Sequence, residues 1–221
     1  MPPFETFYKS ELQQPLLLWV SVVVSWLMLG WQWRAQFLVP WRWIAYAVGF
    51  TVISLLDAWL TSDRPWGIGA LPAALASTLP IAFVILGDAR YFLVIFDSKW
   101  KAFIYSLVVP ISSTLVHRLL PGEWASARVL FLIYELMFFG LALGLGKKKG
   151  DWRISGFVAA YYFLWASADI VILAGKDWGY LLRVVPNLLY YGALVPWVSF
   201  SLASRLHAAG PSESRPGSRP A

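Results

Sequence analysis

Apolar residues in this chain come in long blocks that short polar stretches separate. A helix needs about 20 such residues to cross about 30 Å of hydrocarbon. The pattern predicts seven spans, at residues 15–30, 43–60, 70–96, 102–120, 127–146, 154–174 and 180–203. The predicted fold class is therefore all-α: an integral membrane protein built as a bundle of about seven transmembrane helices.

Domain organisation follows from the same blocks. Residues 1–203 are predicted to form a single polytopic transmembrane helical domain. Residues 204–221 are rich in Pro, Gly, Ser and Arg and too poor in apolar surface to pack, so we expect a disordered basic cytoplasmic tail. The N-terminal stretch lacks the pattern of a cleaved signal peptide, so the first block is expected to remain as an anchor.

The composition is typical of a membrane protein and excludes several kinds of functional site. Hydrophobic residues make up 59% of the chain and charged residues 14%, whereas soluble domains are about 25% charged. The absence of Cys excludes disulfides and thiolate ligands. With only two His residues and no HExxH or phosphate-loop spacing, we predict no metal, no cofactor and no catalytic residue.

The distribution of cationic residues predicts the orientation of the bundle. Lys and Arg number eleven on one set of alternate loops and six on the other, with Arg90 uncounted. The richer side should be cytoplasmic, which places the N-terminus outside and the C-terminus inside. We expect a bacterial inner membrane. Trp residues near the predicted helix ends favour contact with the bilayer interface rather than with nucleic acid. The oligomeric state stays open.

Several polar residues fall at similar depth near the outer ends of different predicted helices. A charge facing lipid is unfavourable by several kcal/mol, so these side chains should face the bundle interior, water or one another. One interpretation is an outward-facing polar pocket, and the other is a set of interhelical pairs, such as Asp169 with Arg183, that only fix the packing. The candidates for ligand binding or proton coupling at this level are Asp57, His117, Glu135, Asp169, Arg183 and Asn187.

Asp88 and Arg90 form a second candidate site in the third predicted span. They lie about 200° apart around a helix, so each needs its own environment. The long stem of Arg90 could reach the cytoplasmic headgroups. Asp88 is too short for that and must be protonated, paired with a neighbouring helix or exposed to an inward-facing cleft.

Three classes of function are compatible with these features. The preferred one is a membrane-embedded regulator or sensor that holds an acidic soluble partner, such as a signalling or transcription factor, at its basic cytoplasmic face. The partner-binding candidates are Lys147, Lys148, Lys149 and Arg153. The second is a proton- or cation-coupled small-solute transporter, with Asp57, Glu135 and Asp169 titrating and Asp88 as an inner gate. The third is an integral-membrane enzyme acting on a lipid, whose phosphate Arg90 or Arg183 would bind.

Overall fold

The computed structural model describes residues 2–10, 18–35, 48–49, 51–52, 85 and 87–208. Within these ranges every regular element is helical and no β-strand occurs, which confirms the all-α prediction for this part of the chain. The helices are α1 (Pro3–Tyr8), α2 (Leu18–Ala35), α3 (residues 87–95), α4 (Lys99–Arg118), α5 (Ala127–Lys149), α6 (Trp152–Leu173), α7 (Trp178–Leu188) and α8 (Leu194–Ala208). A 3₁₀ turn at Gly122–Trp124 precedes α5, and a π-helical segment at Leu189–Ala193 joins α7 to α8.

Three helices of the described chain are long and apolar enough to cross a membrane. They are α5, with 23 residues, α6, with 22, and the continuous helix Trp178–Leu202, with 25. Their mean hydropathies are 2.1, 1.6 and 1.2. They correspond to the fifth, sixth and seventh predicted spans, and they support a membrane location for the protein.

The remaining predicted spans are described only in part. Helices α2 and α4 form where the first and fourth spans were expected, but they are not among the three membrane-crossing candidates. Polar and charged residues lower their hydropathy: α2 ends with Gln32 and Arg34, and α4 begins with Lys99 and Lys101 and ends with His117 and Arg118. Most of the second and third spans lies outside the described residues. Helix α8 continues to Ala208, and residues 209–221 lie outside the described part.

Local signals set the ends of α5. The hydroxyl of Ser126 accepts a hydrogen bond from the backbone N–H of Val129, which caps the N-terminus. The C-terminus stops at Gly150, whose φ of 70° is a left-handed conformation that side chains disfavour. Only Asp151 separates Gly150 from α6, so α5 and α6 pack as an antiparallel hairpin.

The core lies among α3, α4, α5, α6, the π-helical segment and α8, and aromatic rings make many of its contacts. Phe138 of α5 stacks on Tyr162 of α6 with 4.2 Å between ring centroids, and Phe92 of α3 lies 5.5 Å from Phe138. The hydroxyls of Tyr91 and Ser155 are 2.8 Å apart, which ties α3 to α6. Offset and edge contacts of this kind stabilise packing beyond simple burial.

The short connections between helices define two ends of the molecule. At one end, called the α1 end, α1 packs on α7 beside the starts of α5 and α7 and the end of α6. At the opposite end, called the lysine end, six cationic side chains are exposed. They are Lys99, Lys101, Lys147, Lys148, Lys149 and Arg153.

Candidate functional site

Four charged side chains converge near the α1 end, and we call them the ion cluster: Arg128 and Glu135 of α5, Asp169 of α6 and Arg183 of α7. Asp169 is the centre of the cluster. Its Oδ1 accepts hydrogen bonds from Nη1 of Arg128, at 2.8 Å, and from Nη1 of Arg183. Nη2 of Arg183 lies 3.6 Å from Oε1 of Glu135, which is an ion pair beyond hydrogen-bond length. Two cations therefore balance two carboxylates.

Exposure falls from the arginines to the acids. The side chain of Arg128 is 27% exposed and that of Arg183 15%, whereas Glu135 is 4% exposed and Asp169 is fully buried. Oε2 of Glu135 and Oδ2 of Asp169 are buried without a hydrogen-bond partner among the described residues. Buried carboxylate oxygens are unfavourable unless a donor or cation meets them. The cluster thus contains two buried carboxylate oxygens that accept no hydrogen bond from the described residues, beside two guanidinium groups that are more exposed.

Helix α1 covers the ion cluster. The hydroxyl of Tyr8 accepts hydrogen bonds from Nε of Arg183 and Nδ2 of Asn187, each at 3.3 Å. Oδ1 of Asn187 in turn accepts from Nε1 of Trp165 at 2.9 Å. The carboxylate of Asp177 accepts from the backbone N–H groups of the first turn of α1, at 2.8 and 2.9 Å, which fixes the helix to the start of α7.

An exposed ion pair adds to the docking of α1. Nζ of Lys9 donates to Oε1 of Glu5 at 2.8 Å, and the hydroxyl of Tyr180 donates to the same oxygen at 3.1 Å. These two hydrogen bonds lower the pKa of Glu5 below its ordinary value of 4.5, and the pair raises the pKa of Lys9. A carboxylate with a lowered folded-state pKa contributes stability above its ordinary pKa. That contribution is lost as the pH falls through the lowered value.

A second group of polar side chains lies inside the aromatic core, and we call it the tyrosine cluster: Asp88 of α3, Tyr134 of α5 and Tyr162 of α6. The hydroxyl of Tyr134 donates to both carboxylate oxygens of Asp88, at 2.6 and 2.7 Å. The hydroxyl of Tyr162 donates to Oδ1 at 2.8 Å. Asp88 is 2% exposed, so its contacts are with neighbouring helices, one of the three environments expected for it.

Arg90 does not reach the headgroups, so the expectation of a snorkelling side chain is wrong. It is 1% exposed, and its guanidinium lies 4.0 Å from the ring centroid of Tyr190 in the π-helical segment. Its Nε donates to the carbonyl oxygen of Gly87 at 3.1 Å. The face of an aromatic ring attracts a desolvated guanidinium, which explains why Arg90 turns inward. A residue so buried is poorly placed to bind a lipid phosphate from the membrane surface.

A π-helical segment interrupts the long helix that carries Arg183 of the ion cluster. Asn187, which contacts α1, lies just before it, and Tyr190, which contacts Arg90, lies within it. Pro186 precedes it and lacks the N–H that a regular helix would use. Single π-helical turns inside α-helices are frequent at functional sites. A change of the helix at this break would move Arg183 and Tyr190 relative to α5 and α6.

Gly87 is required by its close approach to Tyr190. A Cβ at this position would meet the tyrosine hydroxyl and lie 3.3 Å from Cζ. We expect Gly87→Ala to lower the free energy of unfolding by about 1–3 kcal/mol, because overpacking forces neighbouring groups apart. Chemical denaturation in mixed micelles measures this. Tyr190→Phe should restore part of the loss. Gly156→Ala is the control, because nothing lies within 4 Å of its Cβ position. Equal stability of Gly87→Ala and wild type would contradict the assigned contact.

The structure brings together only some of the residues that the sequence singled out. Glu135, Asp169, Arg183 and Asn187 meet at the α1 end. His117 lies apart from them, with Nε2 3.1 Å from the carbonyl oxygen of Ser126 in the α4–α5 connection. Asp57 lies outside the described residues. Among the described residues, no three His, Cys, Asp or Glu side chains converge as a metal site would require.

Sequence reasoning missed Arg128, Tyr8, Tyr134 and Tyr162. Arg128 was counted as a loop charge, although its spacing of seven residues from Glu135 places both on one face of α5. That spacing was the available signal. The tyrosines carry no charge in a sequence scan, and the six-residue α1 has no periodicity that would place Tyr8 on α7.

Comparisons with protein-family models, with curated proteins and with solved structures give no match to this chain.

Proposed function

We propose that this protein is a proton-coupled membrane carrier of a small solute. The observation that supports it best is the ion cluster. Glu135 and Asp169, on two neighbouring helices, share Arg183, and each keeps one buried oxygen without a partner among the described residues. A proton on such an oxygen removes a buried charge and supplies a hydrogen-bond donor. Ionisable residues within membrane segments commonly mark ion and substrate paths.

The rest of the described chain supplies parts that a carrier needs. Arg128 is the most exposed side chain of the ion cluster, whereas the tyrosine cluster and the aromatic core are buried. The helix that carries Arg183 is interrupted at Pro186 and the π-helical segment. Interrupted helices next to a central site are characteristic of secondary transporters, in which rearrangement exposes the site to alternate sides. Asp88 then belongs to the closed inner gate.

We propose that the carrier is a bundle of about seven spans in a bacterial inner membrane, with the α1 end outside and the lysine end in the cytoplasm. Because the sequence has no Cys, single cysteines report the orientation cleanly. An impermeant maleimide should label Thr6→Cys in intact cells and Lys148→Cys only after permeabilisation. Both positions are exposed. The reverse pattern would invert the topology.

Transport itself is tested by uptake into vesicles that contain the purified full-length protein. An inward proton gradient should accumulate at least one of four labelled probes, namely pyruvate, inorganic phosphate, glycine and rubidium ion. Glu135→Gln should lower the gradient-driven rate by about tenfold or more, since general proton-transfer groups contribute factors of this size. The exposed cation Lys176 lies at the same end as the ion cluster, so Lys176→Gln is the matched control. Rates equal to those of empty vesicles for all four probes would count against a carrier.

A regulator that holds an acidic soluble protein is the second candidate. Its support is the lysine end, where Lys147, Lys148, Lys149 and Arg153 are all exposed. Crosslinking in native membranes should then capture a stoichiometric soluble protein that is lost when the three lysines are replaced by Gln. If the triple variant captures as much of the soluble protein as the wild type does, the partner does not bind through these lysines.

A further inference from the structure

We propose that the solute is a small monovalent oxyanion, such as a monocarboxylate, which binds at Arg128 and Arg183 together with one proton on Glu135. This inference rests on the proposed carrier function and names its substrate class. It depends on the charge balance of the ion cluster, on the geometry of its arginines and on the route by which it is reached.

The charge balance couples the proton to an anion. Among the residues that the structure describes, the charged groups that face Glu135 are Asp169 from α6, Arg183 from α7 and Arg128 from its own helix, so the cluster is neutral when both acids are ionised. A proton on Glu135 leaves two guanidinium groups against one carboxylate. An excess charge in this buried setting is unfavourable until an anion enters. The proton and the anion therefore bind more strongly together than separately.

Glu135 is the acid that can release its arginine. Its pair with Arg183 spans 3.6 Å, whereas Asp169 accepts two hydrogen bonds from guanidinium groups at shorter distance. Protonation of Glu135 weakens the longer and weaker of the two pairs. The Nη2 edge of Arg183 then becomes available, while Asp169 continues to hold both arginines in position.

The arginines favour an oxyanion over a spherical ion. A guanidinium presents a planar fork of N–H donors that matches the two oxygens of a carboxylate. Arg128, at 27% exposure, would meet the anion first, and Arg183, at 15%, would receive it next. The hydroxyl of Tyr8 accepts from Nε of Arg183, so an anion that binds this side of the guanidinium would replace that hydrogen bond.

Calorimetry on the full-length protein in phosphatidylcholine nanodiscs tests the proposal. The probes are pyruvate and inorganic phosphate, with chloride as the spherical anion and pyruvamide as the neutral analogue. We expect pyruvate or phosphate to bind with uptake of one proton, and the Kd to fall up to about tenfold per unit of decreasing pH, the limit for one linked proton. Chloride and pyruvamide should bind at least about tenfold more weakly.

The variants separate the roles of the residues. Glu135→Gln mimics the protonated acid, so it should bind the anion independently of pH, at the affinity that the wild type reaches in acid. Arg128→Gln should weaken binding about tenfold or more at every pH, since hydrogen bonds to charged groups contribute factors of this size. Lys176→Gln should behave as wild type. If Glu135→Gln does not fold, the number of protons taken up by the wild type still decides the question.

Three results in phosphatidylcholine nanodiscs would overturn the inference. They are binding of neither oxyanion at any pH, binding without proton uptake by the wild type, and unchanged pH dependence in Glu135→Gln. Loss of oxyanion binding when phosphatidylglycerol is added to the nanodiscs would assign the arginines to a lipid headgroup and would also overturn it.

The proposed function fails in a different way. If an oxyanion binds together with a proton but is not taken up along a proton gradient, the binding site is supported and the proposed transport function is contradicted. Gradient-driven uptake of glycine or rubidium by a protein that binds no oxyanion would support the carrier and overturn the substrate class.

Discussion

Replacing Asp169 with Asn is expected to lower the free energy of unfolding by about 3–5 kcal/mol, the usual effect of removing one partner from a buried ion pair. Asp169 is fully buried and accepts hydrogen bonds from both Arg128 and Arg183. Its loss leaves two guanidinium groups with Glu135 as the remaining carboxylate of the cluster. Chemical denaturation in mixed micelles, followed by tryptophan fluorescence, measures the change.

Two further variants show whether the loss at Asp169 arises from the pair itself. Asp97→Asn alters an exposed acid and should change stability by less than about 0.5 kcal/mol. In the double variant Asp169→Asn with Arg183→Gln, the uncompensated charge is removed, so the two effects should be less than additive. Strict additivity would contradict the view that Asp169 and Arg183 act as one unit.

Asp88→Asn is expected to lower the free energy of unfolding by about 1.5–3 kcal/mol, the range for a hydrogen bond to a charged group. The hydroxyl of Tyr134 donates to both oxygens of Asp88, and an amide can accept at only one of these positions. The carboxamide would instead present its own N–H₂ group to a donor. The same denaturation assay measures the loss.

Tyr134→Phe provides the matching test for the tyrosine cluster. In the wild-type background it should reduce stability, because Asp88 loses the hydrogen bond from the hydroxyl of Tyr134. In the Asp88→Asn background Tyr134→Phe should lower the free energy of unfolding only slightly further, because the shared interaction is already weakened. Equal losses in both backgrounds would show that Tyr134 and Asp88 contribute independently.

The sequence was most informative where apolar blocks are long and uninterrupted. The predicted spans 127–146 and 154–174 differ by no more than three residues at either end from α5 and α6. Helix spacing also gave the depth of polar residues, and three of the residues placed at one depth, Glu135, Asp169 and Arg183, contact one another in the structure. Depth alone does not say which helices are neighbours. The contact of Asp88 with Tyr134 and Tyr162 depends on that arrangement and could not be read from one chain.

The errors and omissions have local physical causes. Arg90 was expected to extend toward headgroups, but the ring of Tyr190 lies within reach and binds its guanidinium instead. Arg128 was assigned to a loop because it follows the start of α5 by one residue. The π-helical segment could not be located from sequence, since Pro186 indicates a break but not its form.

Recording proton entry and solute entry together in vesicles tests most directly whether the protein couples solute transport to protons. Protein is reconstituted with a trapped pH indicator, the membrane potential is clamped at zero, and labelled pyruvate is added outside. We expect the lumen to acidify by one proton for each pyruvate that enters, and both rates to fall by about tenfold or more in Glu135→Gln. Pyruvate entry without acidification, or equal acidification in Glu135→Gln, would contradict proton coupling at the ion cluster.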